Sequence, residues 1–155
     1  MDEKVMFKLG YGLYVLTSKT QKDNGCIINT AMQVTAVPNQ IMVAVNKECL
    51  THDMIIESGQ LNLSVLTETA DRSIYERFGY RSGREVDKFA DYDNMERSDN
   101  GLYYIKDGCN AYISGKVFHT VALDTHTLFL AKVTGGQIRN DLPSLTYARY
   151  HEMIK

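Results

Sequence analysis

Hydrophobic positions in this chain fall in short runs with a two-residue period or none, and only rarely at helical spacing. Leu13 to Ser18 is a β-prone run, and the polar stretch Lys19 to Gly25 ends in Asn24-Gly25, a turn signal leading into a strand at Cys26. Two strands joined at Pro38-Asn39 account for most of Gly25 to Asn46. The first carries Asn29, Thr30, Gln33 and Thr35 in an otherwise apolar, small or β-branched ribbon. That is more hydrogen-bonding capacity than core filler needs, so something polar is expected to lie against it. The second, Ile41 to Val45, is almost wholly apolar and predicts a buried strand that ends at Asn46-Lys47. Thr51-His52-Asp53 reads as a helix cap, and Thr51 to Ser58 as a helix stopped by Gly59. An amide, a cation and a helix start thus converge at one strand end, a combination suited to phosphate.

Further on, Leu61, Leu63 and Val65 alternate with Asn62 and Ser64, which predicts a strand with one wetter face. Ala70 to Phe78 predicts a second short helix closed by Gly79. Tyr80 to Asn100 is charged and aperiodic, a long surface excursion of the kind that is functional or mobile, or ordered by a ligand or partner. Lys106-Asp107-Gly108 marks a hairpin between Leu102–Ile105 and Cys109–Val117. His119–Leu123 and Thr127–Val133 are the last strands, divided by Asp124-Thr125-His126 and closed by Gly135-Gly136. The tail from Leu142, with Leu145, Tyr147, Tyr150 and Ile154, predicts a short helix or an extended arm. Hairpins dominate and strands do not alternate with helices. The pattern therefore predicts a mainly β protein, a closed antiparallel barrel with two or three short helices, rather than a doubly wound sheet.

Composition narrows the function classes. With 155 residues, 44% of them hydrophobic, the chain is expected to form one domain over 1–155 around a single core. A net charge of −2 gives no electrostatic reason to bind nucleic acid or an anionic membrane. The opening MDEKVMFKLG is acidic and lacks a long apolar run, so neither a signal peptide nor a membrane span is expected, and the cytoplasm is the expected location. Cys26, Cys49 and Cys109 are far apart with no C-x-x-C, which argues against a disulfide framework or a metal site, and each reads as a small buried hydrophobe rather than a reactive thiol. The four histidines show no ligand spacing, so no bound metal is expected. Neither G-x-x-x-x-G-K-[ST] nor G-x-G-x-x-G occurs, so a nucleotide or flavin would have to be held some other way.

Five segments in order carry a resemblance: Asn29-Thr30-Ala31-Met32-Gln33-Val34-Thr35 with Pro38 after it, then Asn46-Lys47 and Thr51-His52; Phe78-Gly79; Ser82 to Phe89; Asp124 to Phe129; and Pro143 to Tyr147. Together they resemble the flavin reductase-like family over nearly the whole chain, with flavoredoxins and the flavin domains fused to rubredoxin as the nearest kin. The resemblance implies a split β-barrel with Greek-key order that binds FMN. It also implies that the isoalloxazine lies along Asn29 to Gln33, bonded by the backbone of Thr30, Ala31 and Met32. Gln33 and Thr35, on the same strand face as Asn29 and Ala31, become candidates for the ring edge and ribityl chain. Asn46, Lys47 and Thr51 become the phosphate anchors. Lys88 matches a position near N1 or the phosphate, and Phe89 either stacks on the ring or anchors its own loop in the core. His126 stands beside the nicotinamide site of reductases or serves as a structural hydrogen-bonder.

Three functions remain open on these residues. The first is an NAD(P)H-dependent flavin reductase that takes hydride onto FMN and passes the electrons on. The second is a flavoredoxin-type electron carrier reduced by a protein donor, with rubredoxin or another redox protein as partner. The third is a binding module on the same barrel that holds another ligand, or none. The apolar, tyrosine-rich tail predicts a homodimer, with packing on its own barrel as the competing arrangement.

Overall fold

The computed structural model describes residues 1–154, and its frame is a seven-stranded antiparallel sheet. After a 3₁₀ turn at Glu3–Lys8, the chain forms β1 (Tyr14–Lys19), β2 (Asp23–Ile28), β3 (Ala31–Thr35) and β4 (Gln40–Asn46). Helix α1 (Leu50–Ser58) and β5 (Gln60–Leu66) follow, then α2 (Arg72–Gly79) and a small hairpin of β6 (Met95–Arg97) and β7 (Tyr103–Ile105). Two long strands, β8 (Cys109–Ala122) and β9 (His126–Ile138), and a last helix, α3 (Tyr147–Met153), complete it. The strand order in the large sheet is β2-β1-β5-β8-β9-β4-β3, with β6-β7 standing apart.

Consecutive strands β2 and β3 form opposite edges of this sheet, yet only Asn29 and Thr30 separate them. Three residue steps reach at most about 11 Å, so the sheet must roll until its edges nearly meet. No rung joins β2 to β3, however, and the ladder is open rather than a closed barrel. The single ribbon expected over Cys26 to Thr35 is therefore two strands. Its polar centre is the crossing, where the Thr30 carbonyl accepts from Ala44 N at 3.1 Å.

The rolled sheet encloses one core and leaves another outside. Within lie Leu16, Cys26, Ile28, Ile41, Val43, Val45, Leu61, Leu63, Phe129 and Ala131, joined by Ile55 from α1. These come from alternate positions along each strand, the two-residue period already visible in the sequence. On the other side of β1, Leu13 and Val15 pack with Leu66, Ile74, Phe78, Phe89, Ile105, Cys109 and Leu145. With neighbours inside and outside, β1 is apolar on both faces.

The excursion over Tyr80–Asn100 packs on this outer core. Phe89 stacks within 5.3 Å of Phe78 and 4.9 Å of Tyr103, ring centre to ring centre. Arg77 Nη1 donates to the Lys88 and Ala90 carbonyls at 2.7 and 3.0 Å. The predicted hairpin at Lys106-Asp107-Gly108 is also corrected. A turn is present, with Gly108 at φ +92°, but β7 pairs with β6 and not with β8. Gly135-Gly136, read as a strand stop, lies inside β9, because a Cβ on Gly136 would meet the Tyr112 carbonyl at 2.8 Å. His119–Leu123 is likewise no separate strand but the end of β8, which bends through irregularities at Ser114/Gly115 and Val117/His119. Helix α1 stops at Gly59 as expected (φ +70°), and Asp71 caps α2 by accepting from Ser73 N at 2.8 Å. Among the described residues no helix is long and apolar enough to cross a membrane, and no group of three or more His, Cys, Asp or Glu could hold a metal ion.

Candidate functional site

The end of β2, the end of β4 and the start of β9 meet beneath α2 and α3, and a cavity of about 370 Å³ lies between them. Its walls include Ile27, Ile28 and Asn29 from β2 and its exit, Ala44 and Asn46 from β4, Cys49 at the start of α1, and His126 from β9. Asn46 and His126 are direct partners across the β4–β9 ladder, so the two polar side chains share one end of the sheet. A roof of tyrosines, Tyr75 from α2, Tyr80 just after it and Tyr147 and Tyr150 from α3, lines the other side. The volume falls in the range usual for small-molecule sites, about 300–1,000 Å³.

Polar groups at this cavity have capacity that the protein itself does not use. The Tyr75 hydroxyl is buried and has no hydrogen-bond partner. The cap residue of α1 is Cys49, which makes no side-chain cap bond to the first-turn amides. Such an uncapped helix start attracts anions. Asn46 spends its carbonyl on a local turn, accepting from Glu48 N at 2.9 Å. His126 is half-buried, with Nδ1 at 2.8 Å from Thr125 Oγ1, which fixes the ring and leaves Nε2 for a ligand group.

The residues predicted from the sequence divide. Asn29, Asn46 and His126 line this cavity. Ala31, Met32 and Gln33 line a second one of about 390 Å³ at the open seam of the sheet, with Tyr14, Ile41 and Val133. Thr30 sits between, its hydroxyl 3.0 Å from Asn29 Oδ1. Gln33 donates to Asn39 Oδ1 at 2.9 Å and the Thr35 hydroxyl donates to the Pro38 carbonyl, so both side chains are used within the β3–β4 turn. Lys47 is half-buried next to the cavity without lining it, its backbone amide bonded to the Thr125 carbonyl at 3.0 Å.

Three of these residues lie away from the cavity. Thr51 does not cap α1, because the helix starts earlier and Cys49 occupies the cap. Its side chain is fully buried and accepts from Asn24 Nδ2 at 3.0 Å, out of reach of a phosphate. Phe89 is core, the alternative left open above. Lys88 is only 3% exposed and donates to the Gly25 and Phe78 carbonyls at 2.8 and 3.3 Å, away from the cavity wall.

Other residues were missed. Tyr75 gave no signal beyond its place in a short helix, and Tyr80 none beyond the start of the surface excursion. Tyr147 and Tyr150 were read as surface for a second subunit, but the tail packs on its own sheet. Leu145 N donates to Leu66 O at 2.8 Å and Tyr147 N to Tyr11 O at 2.9 Å. The hydroxyls of Tyr80 and Tyr150 are 2.8 Å apart, which ties α3 to α2 across the cavity. His52 was noted only as part of a motif. It is buried, with Nε2 2.7 Å from Thr127 Oγ1 and Nδ1 2.9 Å from Asp53, whose other oxygen accepts from Arg84 at 2.6 Å. Arg84 first and then His52 hold the Asp53 carboxyl below the usual range. This relay fixes α1 against β9 directly behind His126.

The sequence matches the flavin reductase like domain over residues 6–153. The chain belongs to the flavin reductase-like family. High molecular weight rubredoxin of Moorella thermoacetica is 38% identical over 154 residues, covering 99% of this chain and 67% of that protein. The ferric-chelate reductase (NAD(P)H) of Archaeoglobus fulgidus is 36% identical over 156 residues, covering 100% of this chain and 92% of that one. Among solved structures, the NADH:FAD oxidoreductase SgcE6 of Streptomyces globisporus superposes with a TM-score of 0.82 at 19% identity, over 92% of this chain and 84% of that one. At that identity the superposition shows a shared fold. As a flavin reductase-like domain, the chain has at the end of its rolled sheet a cavity of the right size, with an uncapped helix start and an orphaned hydroxyl.

Proposed function

We propose that this cavity holds FMN and that the chain is an NAD(P)H-dependent flavin reductase, with the electrons passing on from FMN to a further acceptor. The observation that carries the reading is the uncapped start of α1 opening on the cavity next to Asn46 and Cys49. An anionic phosphate matches those free amides, and Lys47 adjacent to them in sequence supplies the countercharge. The Tyr75 hydroxyl offers a donor to a ligand acceptor, and the stretch from Ile27 through Asn29 borders the space for a flat ring. Bound FMN would supply the two-electron acceptor for hydride. His126, held by Thr125 and backed by the relay through His52, stands where an imidazole could orient a carboxamide.

A flavoredoxin-type carrier is the second reading. What favours it is the tyrosine roof, since the Tyr80–Tyr150 contact narrows the side from which a nicotinamide would enter. Rubredoxin or another redox protein would then be the partner. Pairing of two chains belongs to the same proposal: Phe7, Leu9, Phe118 and Leu123 are among the large apolar side chains left at the surface for a homodimer. A cytoplasmic location suits three free cysteines.

Anaerobic stopped-flow separates the readings. The chain loaded with FMN is mixed with NADH, with NADPH and with a reduced rubredoxin. Bleaching by either nicotinamide is expected. Bleaching by the protein donor alone would overturn the reductase and leave the carrier, and a chain that takes up no FMN would remove both.

A further inference from the structure

Beyond the tyrosine roof, between α2 and α3, lies a second cavity of about 570 Å³. Tyr75, Tyr80 and Tyr150 line it, and the same three residues line the cavity at the end of β4. The two spaces therefore share a wall, and the 2.8 Å contact between the Tyr80 and Tyr150 hydroxyls is part of it. Tyr80 caps the C-terminal end of α2 and is 69% exposed, so the two hydroxyls can exchange their bond for water and let the wall part.

The outer cavity has the chemistry of an adenosine phosphate site. Tyr75 and Tyr150 lie against each other, ring centres 4.8 Å apart, whereas the exposed ring of Tyr80 has surface to give to a purine. Met153 and Ile154, both exposed, add apolar lining. Among the described residues lining this cavity, Arg72 is the only charged one. Its side chain is 89% exposed and pairs with Glu76 at 3.1 Å, one turn along the same helix. A pair that exposed contributes little, whereas a phosphate presents two oxygens at once to the fork of a guanidinium.

We infer that the outer cavity holds the adenosine end of the hydride donor and that Arg72 meets its 2′-phosphate, which makes NADPH the preferred donor. The inference rests on the reductase reading. Position along α2 decides which phosphate Arg72 meets. Arg72 opens this eight-residue helix and Tyr80 caps its end, about 12 Å away along the axis at about 1.5 Å per residue. The nicotinamide has to pass the wall at Tyr80 to reach the flavin beside His126, so the pyrophosphate stays near the wall. The 2′-phosphate, at the far end of the donor, then falls to Arg72. NADH carries a hydroxyl at that position and gives the guanidinium no charge to pair with.

The test uses the full chain loaded with FMN and a fragment that carries no nicotinamide, so that this subsite and the reductase reading fail separately. Calorimetric titration should show 2′-AMP bound, with Arg72→Gln weakening it by roughly tenfold and leaving the affinity for adenosine unchanged. Tyr80→Ala should weaken both ligands. In anaerobic stopped-flow, the NADPH concentration that gives half-maximal bleaching should rise by a similar factor in Arg72→Gln, and that for NADH should not move. The pair that Arg72 makes with Glu76 is exposed, so the variant is expected to keep its urea midpoint and its FMN content. Failure of 2′-AMP to bind, equal binding by the original chain and Arg72→Gln, or an equal loss for NADPH and NADH would overturn the proposal. Binding of 2′-AMP through Arg72 with no bleaching by either nicotinamide would sink the reductase reading instead and leave the adenosine phosphate site standing.

Discussion

Tyr75→Phe separates a ligand-facing hydroxyl from a structural one, because the two roles predict opposite signs. The hydroxyl is buried and unpaired, whereas the ring packs 4.8 Å from Tyr150, a contact that phenylalanine keeps. An unsatisfied buried polar group costs about 1–3 kcal/mol, so removing it should leave the FMN-free chain as stable or more stable, by up to about that amount. For a domain of this size, about 1 kcal/mol corresponds to a rise in Tm of roughly 2–4 °C. With FMN bound, the same hydroxyl gains a partner, and a net hydrogen bond of about 0.5–1.5 kcal/mol is lost in the variant. The FMN dissociation constant should therefore rise by roughly twofold to tenfold. Urea unfolding of the FMN-free chain and a flavin fluorescence titration measure the two quantities. A variant that is less stable without FMN and binds FMN as tightly as the original would refute the assignment of this hydroxyl to the ligand.

Lys47→Ala should weaken FMN by about tenfold to a hundredfold, the value of a charge-assisted bond of about 1.5–3 kcal/mol, and an unchanged titration would remove Lys47 as a phosphate anchor. Phe89→Ala should cost about 3–5 kcal/mol of stability, measured by urea unfolding, because the ring fills the outer core between Phe78 and Tyr103; a ring that covered the flavin instead would lower FMN affinity and leave unfolding untouched. Thr51→Val should destabilise the chain by about 1–3 kcal/mol by stripping Asn24 Nδ2 of its buried acceptor, and a stability unchanged in the same assay would contradict that bond. Asp53 has a folded pKa below its unfolded one, so its contribution is complete above about 4 and is lost as pH falls from there through the depressed value. Asp53→Asn should accordingly flatten the acid limb of a Tm-against-pH curve, and an acid limb of unchanged slope would show that Arg84 and His52 do not hold the carboxylate.

Where periodicity carries the information, the chain was readable from its sequence. The strand over Leu61 to Val65, the apolar run Ile41 to Val45 and the stop at Gly59 all stand in the fold, but the face expected to be wetter is not, since Asn62 and Ser64 are buried and bonded within the protein. The misreadings share a physical cause, which is that tertiary partners decide them. Nothing local in Asn29-Thr30 announces a crossing between sheet edges, since neither residue is Gly or Pro. Gly136 is demanded by the approach of the Tyr112 carbonyl from another strand, so its neighbours in sequence suggest only a turn. The Asp107-Gly108 turn was legible, but its flanking strand found a partner in β6, which is three residues long and too short to be read in advance. Of the site, Asn29, Asn46 and His126 were visible through the resemblance. The tyrosine roof was not, because it depends on how α3 folds back over α2.

Whether the flavin lies in the cavity at the end of β4 is read most plainly from a crystal structure of the chain soaked or grown with FMN. Isoalloxazine density is expected against Asn29, Tyr75 and His126, with the phosphate on the first-turn amides of α1 beside Asn46 and Lys47. Density in the seam cavity between Met32, Gln33 and Val133 instead, with the α1 start bare, would contradict it.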